Sequence, residues 1–405
     1  MNRRDNRAIA RVIGAAASNA SLAAVLGVVT ARTLGPAGQG VITAITTVVA
    51  LVVVAATLGT GASLRLRSVP SPSREDVRAF GGLSVVLAVV GGALSCVLVA
   101  VTQQAIVNAP LMLATFLLGA ASLAARQVSE LVQAYDRVAT SILSVGVGLA
   151  VQIAFFATLS LAGRASVELA IASGIAGAIA QAIFGFARIW SYRPPTALLL
   201  APRIWGELVS HGSRTVGYGL GLLTMQRVDR LILVAVSGPV AGGLYAVAAT
   251  LAEVARLSST AIGQLLFVRT AAARAVDAST MRMYHIGVGI QAATLTVIGV
   301  TAPVLVPLVF GPEYEPAIPL LRGLVAAEFL LGLALMDSRM ALGLGRFMEV
   351  SVITTVCVGL AVPAYILLVT RWDAGGAVAG SIVVYAAYSG LLLMRRRAHG
   401  SQPPE

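Results

Sequence analysis

Charged residues are scarce in this chain, and lysine is absent altogether. Asp, Glu, Lys and Arg make up 11% of its 405 residues and hydrophobic residues 58%, whereas soluble domains carry roughly 25% charged residues. The apolar residues recur in blocks of about 20, the length that crosses a bilayer as a helix. These blocks lack the alternation of membrane strands, so the sequence predicts an all-α polytopic membrane protein.

The chain also has only two cysteines and no long polar segment. Cys96 and Cys357 each lie inside an apolar run, without metal-binding or redox spacing, and are predicted to be small buried hydrophobic residues. No segment between the apolar blocks is long enough for a soluble catalytic domain, which argues against an enzyme. We therefore predict no catalytic residues, no metal site and no cofactor.

Gly and Pro residues mark the ends of several apolar blocks and divide the chain into about twelve predicted membrane-spanning helices. The predicted spans are 9–31, 40–63, 80–102, 109–132, 138–161, 167–190, 208–236, 240–267, 283–306, 317–339, 347–369 and 375–394. The apolar run of the first span continues for about 20 residues after a basic N-terminus, so we expect an uncleaved span rather than a signal peptide.

The arginines are distributed unequally between the two predicted sides of the membrane. Segments on the side of the N-terminus hold most of them, whereas the opposite segments hold only Arg32, Arg164 and Arg371. Because basic loops face the cytoplasm, both termini are predicted to be cytoplasmic. The exclusive use of Arg and the abundance of Ala, Val and Gly indicate a bacterial chain, so we predict a bacterial plasma membrane. The excess of basic residues, 29 against 17 acidic ones, is assigned to loops that face an anionic leaflet. No nucleic-acid motif accompanies it.

A short sequence recurs at half the length of the chain. Residues 35–47 read GPAGQGVITAITT, and residues 238–250 read GPVAGGLYAVAAT. An even number of predicted spans separates the copies, so both have the same orientation in the membrane. The pattern predicts two six-helix bundles, residues 1–195 and 196–405, related by a parallel repeat. In each copy Gly-Pro ends one helix, and the next glycine allows close packing of the following helix.

Ionisable residues lie deep in the predicted spans of the second half. An ionisable side chain near the centre of a bilayer costs at least ~2.5–3.5 kcal/mol, so each of these residues needs a partner, water or a ligand. The candidate site residues are Arg227, Asp229, Arg230, Glu253, Arg256, Arg322 and Glu328.

Helical spacing sorts these residues. Arg227 and Arg230 are three residues apart and share one face of a helix, and so do Glu253 and Arg256. Asp229 points ~100° away from Arg230, so it needs a partner on another helix. We predict that Glu253 and Arg256 form an ion pair that fixes helix register.

Three arginines, Arg227, Arg230 and Arg322, lie at similar predicted depth. Because only Asp229 and Glu328 are available to balance them, we predict that the arginines bind an anionic group of a substrate in a hydrated cavity. The other residues would hold these arginines or bind a coupling cation. These charge-partner or coupling-ion candidates are Asp229, Glu253, Arg256 and Glu328.

Three stretches of the sequence carry a resemblance to a known family. They read LGPAGQGVITA after the first span, QRVDRLILVAVSGPVAGGLYAVAATL across the seventh and eighth, and FGPEYEPAIPLLR before the tenth. The chain resembles polysaccharide biosynthesis proteins, the Wzx-type oligosaccharide flippases of the MATE/MOP transporter superfamily. This resemblance implies two six-helix bundles around a partly cationic cavity. It also implies flipping of undecaprenyl-pyrophosphate-linked sugars to the outer face by alternating access.

The resemblance also implies partners and a role for the arginines. Arg227, Arg230 and Arg322 would contact the pyrophosphate or acidic sugars of a lipid-linked anionic glycan. Other partners would be membrane lipids and the glycosyltransferases or polymerase of a polysaccharide cluster, but no nucleic acid. Twelve spans, rather than the fourteen of lipid II flippases, argue against lipid II. Two alternatives stay open: a MATE-like ion-coupled antiporter of drugs or cations, and a membrane partner of a polysaccharide assembly complex that transports nothing itself.

Overall fold

The computed structural model of the chain describes residues 3–68, 72–104, 108–135, 137–192 and 198–400. For a few of these, only the backbone is described: residues 3–13, 16, 17, 214, 215, 399 and 400. The described part of the chain is built from α-helices and contains no β-strand. The prediction of an all-α polytopic fold is therefore confirmed.

The helices end where the sequence supplies turn and capping residues. In chain order they are α1 (Arg3–Ala56), α2 (Thr60–Arg67), α3 (Arg74–Thr102), α4 (Ala109–Ala134), α5 (Val138–Leu161), α6 (Val167–Ile189), α7 (Pro202–Glu253), α8 (Arg256–Ala273), α9 (Ala278–Phe310), α10 (Ala317–Gly343) and α11 (Phe347–Gly400). Four of them begin at a polar residue whose side chain accepts a hydrogen bond from the backbone of the first turn, which satisfies one otherwise unpaired N–H. These capping residues are Ser73, Asn108, Ser166 and Asp277.

Three helices are about twice the length of a membrane span and break at a non-helical residue. The break is at Gly35 in α1 (φ 64°, ψ −178°) and at Gly238 in α7 (φ 84°, ψ 173°). Each of these glycines precedes a proline. Glycine adopts positive φ because it has no Cβ, and proline lacks the N–H that would continue the helix. In α11 the break is at Trp372 and Asp373.

Contacts across two of these breaks show that the chain folds back on itself. A Cβ on Gly242 would overlap the side chain of Val234, and the ring of Tyr365 lies against Gly380. In a straight helix, residues eight positions apart are separated by about 12 Å. Therefore α7 and α11 are helical hairpins, each with two arms.

The length and hydropathy of the helices fit an integral membrane protein. Nine helical segments of the described chain are long and apolar enough to cross a membrane. Three of these are the double-length segments Ser18–Arg67, Val216–Glu253 and Phe347–Ala398. Their breaks coincide with gaps between predicted spans, whereas the count of about twelve crossings stays a prediction.

The chain forms two compact units. The first comprises Met1–Leu34 and Val41–Leu220, and within it α4 packs against α3, α5 and α6. The second comprises Gly35–Gly40 and Gly221–Glu405, and within it α10 packs against α8, α9 and α11. The core of the second unit includes an apolar cluster of Leu266, Tyr284, Met336 and Met340.

The predicted boundary between residues 195 and 196 lies outside the described residues. The two units divide the chain within α7, between Leu220 and Gly221. The predicted domains 1–195 and 196–405 therefore stay a prediction.

The two copies of the repeated turn contact each other within the second unit. Gly40 lies against the carbonyl oxygen of Pro239, and Gly243 lies against the carbonyl oxygen of Pro36. A Cβ on either glycine would overlap that oxygen, so the backbones approach as closely as small residues permit. This reciprocal contact agrees with the predicted internal repeat.

Candidate functional site

The hairpin of α7 joins two arginines of its first arm to a glutamate at the end of its second arm. Nη1 of Arg227 lies 3.3 Å from Oε1 of Glu253, and Nη2 of Arg227 donates to Oε2 over 3.3 Å. Nη2 of Arg230 donates to Oε1 of the same carboxylate. The predicted shared face of Arg227 and Arg230 is confirmed, because both reach one group.

Arg256 extends this group to a charged cluster of five residues: Arg227, Arg230, Glu253, Arg256 and Glu328. The principal partner of Arg256 is Glu328 and not Glu253. It donates to both oxygens of Glu328, with 3.0 Å between Nε and Oε2, and to Oε1 of Gln226 over 3.2 Å. Its Nη2 also lies 3.8 Å from Oε1 of Glu253. The predicted Glu253–Arg256 pair is thus a minor contact. The helix is interrupted at 254–255, so the two residues lack the regular spacing from which the pair was predicted.

Asp229 does not hold the arginine side chains, and this part of the prediction is wrong. Its Oδ2 accepts a 2.5 Å hydrogen bond from the hydroxyl of Tyr245, and its Oδ1 accepts from the backbone N–H of Arg230. The Tyr245 hydroxyl also contacts Oγ of Ser381, which in turn contacts the hydroxyl of Tyr365, both at 3.1 Å. The reason is the helical angle of ~100° between Asp229 and Arg230. Asp229 faces the other arm of the hairpin, whereas Arg227 and Arg230 face Glu253.

Arg322 is not brought into the cluster. It is an exposed residue of α10, and in the described part of the chain it forms no ion pair. Glu328 lies on the same helix but about 120° further round, where it meets Arg256. The substrate-binding role of Arg322 therefore stays a prediction without structural support.

The cluster has one more positive than negative side chain, and its members differ in exposure. Three guanidinium groups meet the carboxylates of Glu253 and Glu328. The side chain of Arg227 is 28% exposed, whereas that of Arg230 is 7% exposed. Nε of Arg230 is buried without a hydrogen-bond acceptor among the described residues. The arrangement thus offers an accessible guanidinium and a buried donor that lacks an acceptor.

Sequence reasoning missed Tyr245, Gln226 and Ser381. The position of the turn could have identified the first of these. Asp229 precedes Gly238 by nine residues and Tyr245 follows it by seven, so a hairpin at Gly238 places the two nearly opposite each other. No local signal identifies Ser381, because it approaches from a distant hairpin.

Solved structures that are similar to this chain include transporters of the MOP superfamily and a lipid II flippase. The lipid II flippase MurJ, in an inward closed conformation, aligns with a TM-score of 0.75 at 10% identity, over 95% of this chain and 86% of that one. An inward-facing multidrug resistance MATE family transporter of the MOP superfamily aligns with a TM-score of 0.68 at 14% identity, over 95% and 96%. A MOP superfamily transporter from Pyrococcus furiosus, whose reported feature is a binding pocket of reverse polarity, gives 0.56 at 14% identity, over 98% and 96%. The chain is therefore an integral membrane protein with the fold of the MOP superfamily.

A sequence model of one family matches more than half of the chain. The polysaccharide biosynthesis protein family matches residues 9–267, which include Arg227, Arg230, Glu253 and Arg256. The chain belongs to this family, and the resemblance found in the sequence is confirmed. No curated protein matches the sequence significantly.

Proposed function

We propose that this protein is a flippase for undecaprenyl-pyrophosphate-linked oligosaccharides in a bacterial plasma membrane, working by alternating access. The observation that carries the proposal is the pair formed by Arg227 and Arg230, which share a single carboxylate. Membership of the polysaccharide biosynthesis family supports the class of substrate.

The chemistry of the pair suits a diphosphate. Guanidinium groups stay charged, present planar pairs of donors and bind phosphate oxygens bidentately. Arg227 is the accessible member of the pair, and Arg230 has a donor, its Nε, without an acceptor among the described residues. Two arginines on one helical face would bind neighbouring phosphoryl oxygens of one substrate.

Removal of both arginines tests the proposal. Arg227→Ala with Arg230→Ala is expected to abolish surface polysaccharide in a strain that depends on this protein, because the diphosphate loses its charged donors. The measurements are surface polymer and the amount of protein in the membrane. A matched control is Arg269→Ala with Arg274→Ala, which removes two exposed arginines outside the cluster and should preserve the polymer.

Three measurements on these variants and on the purified protein distinguish the alternatives. Normal polymer in the Arg227/Arg230 double variant, with normal protein level, would rule out the proposed role. Among the three candidate carboxylates, only Asp229 lacks an arginine side chain as partner within the part of the chain that the structure describes, so an antiporter of cations would depend on it. Export of cationic dyes that is retained in the double variant and lost in Asp229→Asn would favour the antiporter. Purified protein that moves no lipid-linked glycan in vesicles would favour a non-transporting partner.

A further inference from the structure

We infer that Glu253 is an internal counter-anion that occupies the arginine site in place of the substrate diphosphate and transfers to Arg256 when the diphosphate binds. This inference rests on the proposed function, and it assigns a regulatory role to a residue of the same site. It makes Glu253 a competitor of the substrate rather than a fixed structural partner of the arginines.

The contacts of Glu253 are those expected of a bound anion. Its Oε1 contacts Arg227 and Arg230, and its Oε2 accepts from Arg227. A carboxylate and a phosphate accept the same paired N–H donors from guanidinium groups. The two arginines therefore cannot offer these donors to a diphosphate while Glu253 holds them.

Glu253 also has a second cation within reach. Nη2 of Arg256 lies 3.8 Å from its Oε1, longer than either oxygen's contact with Arg227. A small rotation of the glutamate side chain would exchange one guanidinium for the other. The carboxylate would then keep a charged partner after displacement, and this avoids the cost of leaving it buried and unpaired.

The backbone at Glu253 is suited to such an exchange. The residue ends α7, and α8 begins at Arg256. In between, the amides of Val254 and Ala255 donate to carbonyls three residues back, over 3.2 and 3.3 Å. A short stretch of this tighter turn inside a membrane helix often marks a hinge. The break therefore separates the carboxylate from the arginine that would receive it.

Glu328, by contrast, is held in place. It lies within α10, is 5% exposed and binds Arg256 through both oxygens. Its backbone carbonyl also accepts a 2.8 Å hydrogen bond from Nε2 of Gln291. The two glutamates of one cluster thus differ in local backbone geometry, because Glu253 lies at a helix break and Glu328 lies inside a continuous helix. This difference makes Glu328 a matched control.

Affinity for a prenyl diphosphate tests the exchange. The probe is farnesyl diphosphate, titrated calorimetrically into the purified full-length protein in detergent. If Arg227 and Arg230 are not bound to Glu253 in about a tenth of the molecules, removing the Glu253 carboxylate raises the apparent affinity for the probe about tenfold. Glu253→Gln is thus expected to bind the probe about tenfold more tightly than the unchanged protein. Glu328→Gln removes the same charge from the same cluster but leaves Glu253 on Arg227 and Arg230, so its gain in affinity should be clearly smaller. An equal gain in the two variants would overturn the inference.

A double-mutant cycle separates exchange from general electrostatics. Arg256→Gln removes the receiving group, so it should weaken binding of the probe while Glu253 is present. In the Glu253→Gln background the same substitution should have little effect, because nothing remains to be displaced. An equal loss of affinity in both backgrounds would show that Arg256 acts only through its charge and would overturn the inference.

Further outcomes are decisive. Affinity in Glu253→Gln that is unchanged or lower, or no binding in either protein, overturns the inference. If Glu253→Gln does not fold, as judged by thermal unfolding, Glu253→Asp shortens the reach by one methylene. That variant should bind the probe more tightly than the unchanged protein, and unchanged or lower affinity overturns the inference. The proposed function fails separately, when the Arg227/Arg230 double variant keeps normal surface polymer.

Discussion

At the scale of single residues, Asp229 is a buried carboxylate of the second unit. It is 3% exposed and accepts hydrogen bonds from the Tyr245 hydroxyl and a backbone amide, and no guanidinium of the described residues is its partner. Burial of a carboxylate is tolerated only when such donors replace the water it loses. The hydroxyls of Ser381 and Tyr365 extend this network to the hairpin of α11.

Removal of the Tyr245 hydroxyl tests this network. Tyr245→Phe deletes the 2.5 Å hydrogen bond to Asp229 and should lower the free energy of unfolding by about 1.5–3 kcal/mol, the range for hydrogen bonds to charged groups. Unfolding in mixed micelles by a denaturing detergent gives this quantity. Tyr385→Phe is the control, because Tyr385 is buried at 3% exposure and its hydroxyl makes no hydrogen bond in the described part of the chain. Equal losses in the two variants would contradict the assigned role.

The sequence predicted the five charged residues of the cluster, but it also included Asp229 and Arg322, and it identified only some of the partners. Arg227 and Arg230 lie three residues apart, and helical geometry alone places them on one face. The partner of Arg256 is Glu328, 72 residues further on, and no periodicity within a helix reveals a contact between separate helices. The sequence therefore predicted Glu253, the nearest carboxylate along the chain, as the partner of Arg256 and did not identify Glu328.

At the scale of elements, side-chain size is tightly restricted at two glycines that follow the Gly-Pro breaks. Gly40 and Gly243 each contact a proline carbonyl in the other copy of the repeated turn. The contact is between backbones, so neither partner can rotate away as a flexible side chain would. Each glycine is thus required by packing and not by its own φ value.

Alanine at either position tests this requirement. Gly40→Ala and Gly243→Ala should each destabilise the protein by about 1–3 kcal/mol, the usual cost of overpacking, because the new Cβ overlaps a carbonyl oxygen. The control is Gly289→Ala in α9, where a Cβ meets nothing within 4 Å. This variant should be neutral or slightly stabilised, since alanine favours helix over glycine. Thermal unfolding in detergent ranks the three, and a neutral Gly243→Ala would contradict the close contact.

The breaks at Gly-Pro were predictable, whereas the interruption that precedes α8 was not. Gly35-Pro36 and Gly238-Pro239 stop a helix by local chemistry, so the sequence located these two breaks. The interruption at 254–255 has no glycine or proline. It lies inside a predicted continuous span, 240–267, where no local signal in the sequence marks a break.

At the scale of the whole molecule, the surface of the described residues is rich in large apolar side chains. Along α9, for example, Val297, Val300 and Val304 are 60%, 73% and 68% exposed. Side chains so exposed would be unfavourable in water over a surface of this extent and are favourable against lipid. The orientation in the membrane must then follow from the arginine-rich connections.

Cysteine labelling tests the predicted orientation. In a variant with Cys96→Ala and Cys357→Ala, single cysteines are introduced by Ala165→Cys and Ala275→Cys, both at exposed positions between helices. In intact cells an impermeant maleimide should label the first, on the predicted outer side, and should label the second only after permeabilisation. Labelling of both in intact cells, or the reverse pattern, would show that the predicted topology is wrong.

The hairpin of α7 has a consequence for biosynthesis. Arg227, Arg230 and Glu253 belong to one continuous segment, so the two arginines can share the carboxylate of Glu253 once the second arm has been synthesised. Membrane insertion of the hairpin as a unit then avoids much of the cost of three separate charges, each about 2.5–3.5 kcal/mol for arginine. Arg256 can pair with Glu328 only after a further 72 residues have been synthesised. The order of synthesis thus assembles the cluster in two steps, and Arg227 and Arg230 receive their shared carboxylate first.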